Sequence, residues 1–209
     1  MNTMEINEKY GVVADQATIE KTVAALEKNG IHALTVETGA EAKEKVFELL
    51  PKEAEVMNMT SMTLDSIGVS EEIMESGNYN AIRKEIESLD RKTQGLEMQK
   101  LGAAPEWVVG SVHAVTEDGK VLIASASGSQ LPAYAGGSSH VIWVVGAQKI
   151  VKDFDEGIKR LYEYSLPLED ERARKVYGMG SGVNKILVVN KEFVQGRITM
   201  IIIKEKLGF

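Results

Sequence analysis

The run His140-Val-Ile-Trp-Val-Val-Gly146 is the strongest constraint on the fold of this chain. Its apolar residues do not alternate with polar ones. A strand made of them has no face to turn to water and belongs at the centre of a sheet covered on both sides. The run closes a longer stretch, Trp107–Lys152, with two further β-rich runs, Trp107–Val115 and Val121–Ala126. Between these lies Asp118-Gly119, a hairpin signal because both turn positions accept positive φ. A small-residue loop, Ser125–Ser139, then leads into the central run.

Upstream, helical and strand periodicities alternate. Asp15 is placed to cap a helix whose apolar face is Ile19, Val23 and Leu26, with Asn29-Gly30 as its stop. Ile31–Val36 reads as a buried strand. Thr38-x-x-Glu41 is a capping-box pattern, opening a helix with Val46, Phe47 and Leu50 inside. Glu55–Met59 is the next strand. This α-β-α-β rhythm predicts an α/β fold on a mostly parallel sheet. The hairpin makes the expected sheet mixed, with all seven strands in it: 31–36, 55–59, 107–116, 120–126, 140–146, 185–190 and 197–203. Residues 1–14 read as a frayed or loosely docked arm. Residues 70–104 read as a mainly helical insertion with a narrow apolar stripe, Ile82, Ile86 and Leu89. A helix after Asp153 is expected to bury Phe154, Ile158 and Leu161. Gly178–Gly182 reads as a helix stop and loop, since it follows a helix and precedes a strand, the reverse of a dinucleotide fingerprint.

With 209 residues the chain can bury a sizeable core as a single domain, 1–209. Basic residues number 24 against 31 acidic, and no basic block occurs, so binding to a nucleic-acid backbone is not expected. Cysteine is absent, which excludes disulfides, cysteine nucleophiles and iron–sulfur ligation by this chain. The three histidines have no metal-ligand spacing, so no metal is expected. The N-terminus lacks the charge and apolar pattern of a signal peptide, and no apolar run is long enough to span a bilayer. The expected compartment is the cytoplasm.

Polar residues gather where the strands end. Ser61 and Thr63 follow a strand and open a helix, where a hydroxyl either caps the helix or helps bind an anion. His113 and Glu117 fall on one face by strand alternation, a pair suited to acid–base chemistry or else an ordinary rim histidine and a solvated glutamate. Ser127, Gly128, Ser129 and Gln130 form a loop whose small residues let N–H groups converge on an anion. Gln148 and Lys149 follow the central run, at the strand end where open α/β sheets place ligands.

Three segments resemble the LUD (lactate-utilisation) domain family: SVHAVTEDGKVLIAS, LPAYAGGSSHVIWVVGAQKIV and GRITMIIIKEKLGF, with Ser61-x-Thr63-Leu64 upstream. The likeness runs from about residue 18 onward. Where better-known members carry Ala-Glu-Thr-Gly-Thr, this chain has Thr116-Glu117-Asp118-Gly119, keeping the Glu and Gly. It lacks the cysteine-rich part of cluster-bearing relatives and so resembles the stand-alone form. The resemblance implies a three-layer α/β fold, a mostly parallel mixed sheet with helices on both faces, like ribose-phosphate isomerases, glucosamine-phosphate deaminases and coenzyme A transferases. It also implies one cleft at the sheet's C-terminal edge. There Glu117 would be base or nucleophile, His113 its partner and Lys149 a charge clamp, while Ser61, Thr63, Ser127, Gly128, Ser129, Gln130 and Gln148 would bind ligand. The expected partner is a small anionic metabolite of lactate or organic-acid metabolism. The alternative is a non-catalytic accessory subunit of an iron–sulfur, lactate-oxidising complex, and a homo-oligomer is compatible with either. The resemblance names no cofactor.

Overall fold

The computed structural model describes residues 4–209. Helix α1, Gln16–Lys28, is capped by the Asp15 carboxylate, which accepts from the Thr18 N–H at 2.8 Å. Strand β1, His32–Val36, leads to α2, Gly39–Leu49, where Thr38 Oγ1 accepts from the Glu41 N–H and Glu41 accepts from the Glu37 N–H. Strand β2, Glu55–Asn58, is followed by α3, Met62–Ser66, and α4, Val69–Glu75. The segment expected as an insertion holds a two-residue strand, β3 (Asn80–Ala81), then α5 (Ile82–Ser88) and α6 (Gly95–Ala103). Ile82 of α5 is buried, whereas α6 buries no residue.

The chain then builds β4 (Trp107–Gly110), β5 (Ala114–Thr116), β6 (Val121–Ser125), β7 (His140–Gly146) and β8 (Ile150–Val151). It closes with α7 (Phe154–Arg160), a wide π turn at Leu161–Ser165, α8 (Leu166–Tyr177), β9 (Lys185–Val189) and β10 (Ile198–Ile203).

The strands do not form one mixed sheet. Six of them make a sheet in the order β1-β10-β7-β4-β2-β3, parallel at every pairing. The hairpin strands leave it and form a second sheet, β8-β5-β6-β9. The expected single strand 107–116 is therefore two strands. Its apolar pattern carries across Ser111-Val112-His113, but the ladder does not, and those three residues step the backbone from one sheet to the other. The α/β class and the dominance of parallel pairing stand as expected.

Strand β7 lies inside the large sheet, and its side chains serve two cores. Ile142 and Val144 face a layer made by α2, α3 and α4, with Val46, Leu64 and Ile73. Val141, Trp143 and Val145 face Ile19 and Leu26 of α1 together with Val115, Val121 and Ile123 of the small sheet. The outer face of the small sheet packs Ala114 and Leu122 on Leu161 and Tyr164. Of the expected interior residues Leu161 is buried and Ile158 packs partly against this core, but Phe154 is exposed, and Gly157, Arg160 and Tyr164 join the buried line. Gly157 allows the close approach, since a Cβ there would sit 3.1 Å from Leu122.

The arm before α1 is docked rather than frayed. The Asn7 N–H donates to the Glu163 carbonyl at 2.9 Å, and buried Tyr10 donates to Glu156 at 3.0 Å. Glu156 also receives Lys9 and Lys159, which with Tyr10 hold its pKa down to about 2. Residues 1–3 of the expected arm lie outside the described residues.

Gly110 ends β4 directly beneath the buried Tyr134 ring, and a Cβ there would overlap the Tyr134 hydroxyl. Tyr134 is itself packed edge-on to Trp143, with ring centroids 5.5 Å apart, and cannot retreat. Gly110→Ala should therefore cost about 1–3 kcal/mol through overpacking. At roughly 2–4 °C per kcal/mol for a chain of this size, thermal denaturation should show the loss clearly.

Candidate functional site

Because the large sheet is parallel, the C-terminal ends of β2, β4, β7 and β10 share one edge, and the segments that leave them meet there. Thr63 follows β2, Ser111 follows β4, Gln148-Lys149 follow β7, and Leu207-Gly208 follow β10. Lys149 is 1% exposed, and its Nζ donates to Thr63 Oγ1 at 3.1 Å and to Ser111 Oγ at 3.0 Å. Both partners are neutral hydroxyls. Among the described residues no carboxylate pairs with Lys149. Burial, and then the nearby Arg160 charge, hold its pKa well below the ordinary lysine value.

Arg160 lies on the small-sheet side of the same region and is fully buried. One of its terminal nitrogens donates to the His113 carbonyl and to Ser165 Oγ, and the guanidinium carbon lies 5.0 Å from the centre of the Tyr164 ring. Its Nε and second terminal nitrogen have no hydrogen-bond partner among the described residues. Desolvation lowers its pKa to about 10, so it stays charged at neutral pH.

His113 completes the cluster. Its Nδ1 accepts from the Ala124 N–H at 3.1 Å, which assigns the ring hydrogen to Nε2. The residue is half-buried. Desolvation, Lys149 and Arg160, in that order, push its pKa down to about 3. The ring is neutral at pH 7.

A strap formed by the end of the chain covers Thr63 and Gln148. The Leu207 carbonyl accepts from Thr63 Oγ1 at 3.2 Å and from Gln148 Nε2 at 2.8 Å, and the Gly208 carbonyl accepts from the same Nε2 at 3.2 Å. Gln148 Oε1 accepts from the Leu207 N–H. Gly208, at φ +63°, lies against Thr63 with no room for a Cβ.

The remaining expected site residues divide. Ser61 Oγ accepts from the Leu64 N–H at 3.4 Å, and so acts as the helix cap. The loop Ser127–Gln130 reaches the cluster through one residue, because Gln130 Nε2 donates to the carbonyl of Ala124, whose N–H donates to His113. Within that loop, Gly128 N–H donates to Ser125 Oγ, Ser129 N–H donates to Ser127 Oγ, and Lys185 donates to the Ser127 carbonyl.

Glu117 is not brought to His113, contrary to the acid–base pair expected from alternation. Its carboxylate is 2.6 Å from Lys21 Nζ, and it lines a groove of about 440 Å³ with Lys21, Lys28, Lys152 and Lys191. The charges that act on His113 are Lys149 and Arg160. Alternation put Glu117 on the histidine's face. The chain turns at Thr116–Gly119, however, and Asn29 of the α1 terminus donates to the Asp118 and Gly119 carbonyls, drawing the turn toward α1. A second groove, of about 450 Å³, is lined by Tyr10, Gln148, Lys152 and Glu156 among others. Neither groove is lined by Lys149, Thr63, Ser111 or His113; Lys149 and Thr63 are buried, while Ser111 and His113 are partly exposed.

Two members of the cluster were not expected from sequence. Ser111 was read as strand interior. Arg160 had a detectable signal: it lies three residues after Gly157 and four before Tyr164, a core position for a cation.

The His113 shift fixes a pH dependence. A pKa lowered from 6.5 to about 3 means that the folded state resists protonation which the unfolded state accepts. The stability from neutral His113 is present in full above pH 6.5 and is lost as pH falls toward 3. His113→Asn keeps an acceptor for the Ala124 N–H but cannot titrate. The stability difference between wild type and this variant, from urea denaturation, should shrink across that window and stay flat above pH 7.

None of the described helices is long and apolar enough to cross a membrane. Among solved structures, the chain is similar to a DUF162 family protein from Deinococcus radiodurans, with 13% identity, a TM-score of 0.56, and coverage of 91% of this chain and 98% of that one. At that identity the likeness speaks for the fold. Among curated proteins no match is found. The model of the LUD domain matches residues 19–203. That span takes in both sheets and every side chain of the Lys149 cluster, and the chain belongs to the LUD-domain family, named for lactate utilisation.

Proposed function

We propose that this protein binds a small organic anion, a carboxylate of lactate or organic-acid metabolism, at the cluster formed by Arg160, Lys149, Thr63 and Ser111. The observation that carries the reading is Arg160, a fully buried guanidinium with Nε and a terminal nitrogen unpartnered among the described residues. Those two nitrogens form the fork that meets a carboxylate through two parallel hydrogen bonds. A buried cation without an anion is costly, and a ligand that supplies the anion recovers that cost. The strap supports the same reading. Two backbone carbonyls hold the Thr63 hydroxyl and the Gln148 amide, donors that an anion's oxygens would take once the strap lifts. Ser127–Gln130 is an anion loop of the same cleft in this proposal, reached through Ala124.

A thermal-shift screen of 2-hydroxy acids, 2-oxo acids, sugar phosphates and acyl-coenzyme A tests it. A ligand specific to the folded state at 100 times its Kd adds about 2.7 kcal/mol of stability. A carboxylate should therefore raise Tm by several degrees, and its neutral amide should not. Arg160→Gln, which retains a donor for the His113 carbonyl, should fold and lose the ligand-induced rise. No rise with any anion would refute the reading.

The second reading, a non-catalytic subunit of an iron–sulfur assembly, draws on α6, which buries no residue and leaves Leu96 67% exposed. Co-purification with a cluster protein, lost on Leu96→Asp, would favour it.

A further inference from the structure

We propose that the groove between α1 and the end of the small sheet is a second anion site, one that takes a diphosphate group on Lys28, Lys152 and Lys191. It is separate from the Arg160 cluster and does not depend on the reading above.

The topology makes the groove. Strands β5 and β8 are parallel, and β6 is antiparallel to both β5 and β9, so β5, β8 and β9 all end at one edge of the small sheet. The chain leaving each of them brings a charged residue to that edge: Glu117 after β5, Lys152 after β8 and Lys191 after β9. Facing them is one side of α1. Lys21, Ala25 and Lys28 are spaced by four and then three residues, so the two lysines share a face with a small residue between them. The enclosed groove of about 440 Å³ falls within the range of roughly 300–1,000 Å³ for small-molecule sites.

Hydrogen bonds that spare the lysines tie its walls together. Asn29 Nδ2 donates to the Asp118 and Gly119 carbonyls at 2.9 and 3.1 Å. The Glu192 N–H donates to the Asn29 carbonyl at 2.8 Å, and the Glu117 N–H donates to the Val151 carbonyl at 2.9 Å. Gly119, at φ +80°, lies against the Ala25 carbonyl where a Cβ would not fit. Walls fixed in advance leave little ordering cost for a ligand to meet.

The charge balance singles the groove out. The whole chain carries a net charge of −7, yet here four lysines meet two carboxylates. Both carboxylates are already engaged, Glu117 with Lys21 at 2.6 Å and Asp118 with Lys120 and the Thr116 hydroxyl. Among the described residues Lys28, Lys152 and Lys191 pair with no carboxylate. Lys28 suits the C-terminal end of α1 on its own account. Lys152 and Lys191 have no such role. Like charges gathered on a concave surface repel one another and focus their field on an entering anion. An ammonium is a compact point charge without the flat fork of a guanidinium, and it suits a multiply charged phosphate better than a carboxylate. A diphosphate has oxygens enough on its two phosphoryl groups to meet all three unpaired lysines. Free pyrophosphate and a nucleoside diphosphate share that chemistry.

Isothermal titration calorimetry of the full chain at low ionic strength, with inorganic pyrophosphate and with ADP, tests the proposal. Pyrophosphate is expected to bind, and added salt to weaken it. Lys28→Gln and Lys191→Gln, checked for folding by circular dichroism, should each weaken binding about threefold or more, the size of an exposed charge–charge contact. Glu117→Gln removes a negative charge and frees Lys21, and should strengthen it. Lys100→Gln on α6 and Arg160→Gln should leave it unchanged. ADP bound with the same lysine dependence extends the site to organic diphosphates, and pyrophosphate bound without ADP restricts it to the inorganic ion. No binding of either overturns the proposal. So do equal losses in Lys28→Gln and Lys100→Gln, or a loss in Arg160→Gln, which would move the diphosphate to the other cluster.

Discussion

Two basic side chains, Lys149 and Arg160, are buried at the junction of the two sheets without a carboxylate between them. Taking a charge out of water costs several kcal/mol unless something compensates it. The surroundings each reduce that cost in part. Two hydroxyls take the Lys149 N–H groups, the Tyr164 ring lies over the Arg160 guanidinium, and His113 stays neutral. What they leave uncompensated is the reason to read the cluster as a place for an anion.

The backbone explains how such a cluster arises. Parallel pairing aligns the ends of β2, β4, β7 and β10, so residues distant in sequence share one edge. After β4 the backbone crosses to the small sheet through Ser111 and His113. After β7 it crosses again through the short turn Ala147–Lys149. Both crossings carry side chains of the site, and the site lies where the two sheets are joined. The π turn that follows Arg160 adds Ser165, which fixes one guanidinium nitrogen. A widened turn of this kind inside a helix is often found at functional positions.

Much of this was legible in the sequence. The apolar run at β7, the cap at Asp15 and the capping box at Thr38 are local signals, and local hydrogen bonds fulfil them. Thr63, Gln148 and Lys149 were found by their position after strands, which parallel topology turns into proximity. The second sheet was not legible. The apolar residues of Trp107–Thr116 suit either sheet, so their pattern does not mark where pairing changes partner. The position of Glu117 is not legible for a related reason: alternation assigns a face but cannot foresee that the turn pairs with Lys21 and Asn29 of α1 and its terminus. Arg160 is less legible because an arginine beside the apolar pair Ile158 and Leu161 suits a solvent-facing position, and its burial follows from the close packing of the helix at Gly157 on Leu122.

The account turns on Lys149 being an uncompensated buried lysine beside a charged Arg160. Lysine side-chain NMR, following the ε-carbon shift of each lysine against pH, measures that state directly. One lysine, identified by its absence in Lys149→Met, should titrate well below 10.5 and move upward when a carboxylate is added. If every lysine titrates near 10.5 and none responds to carboxylates, Lys149 is solvated or already paired, and the anion-binding account is contradicted.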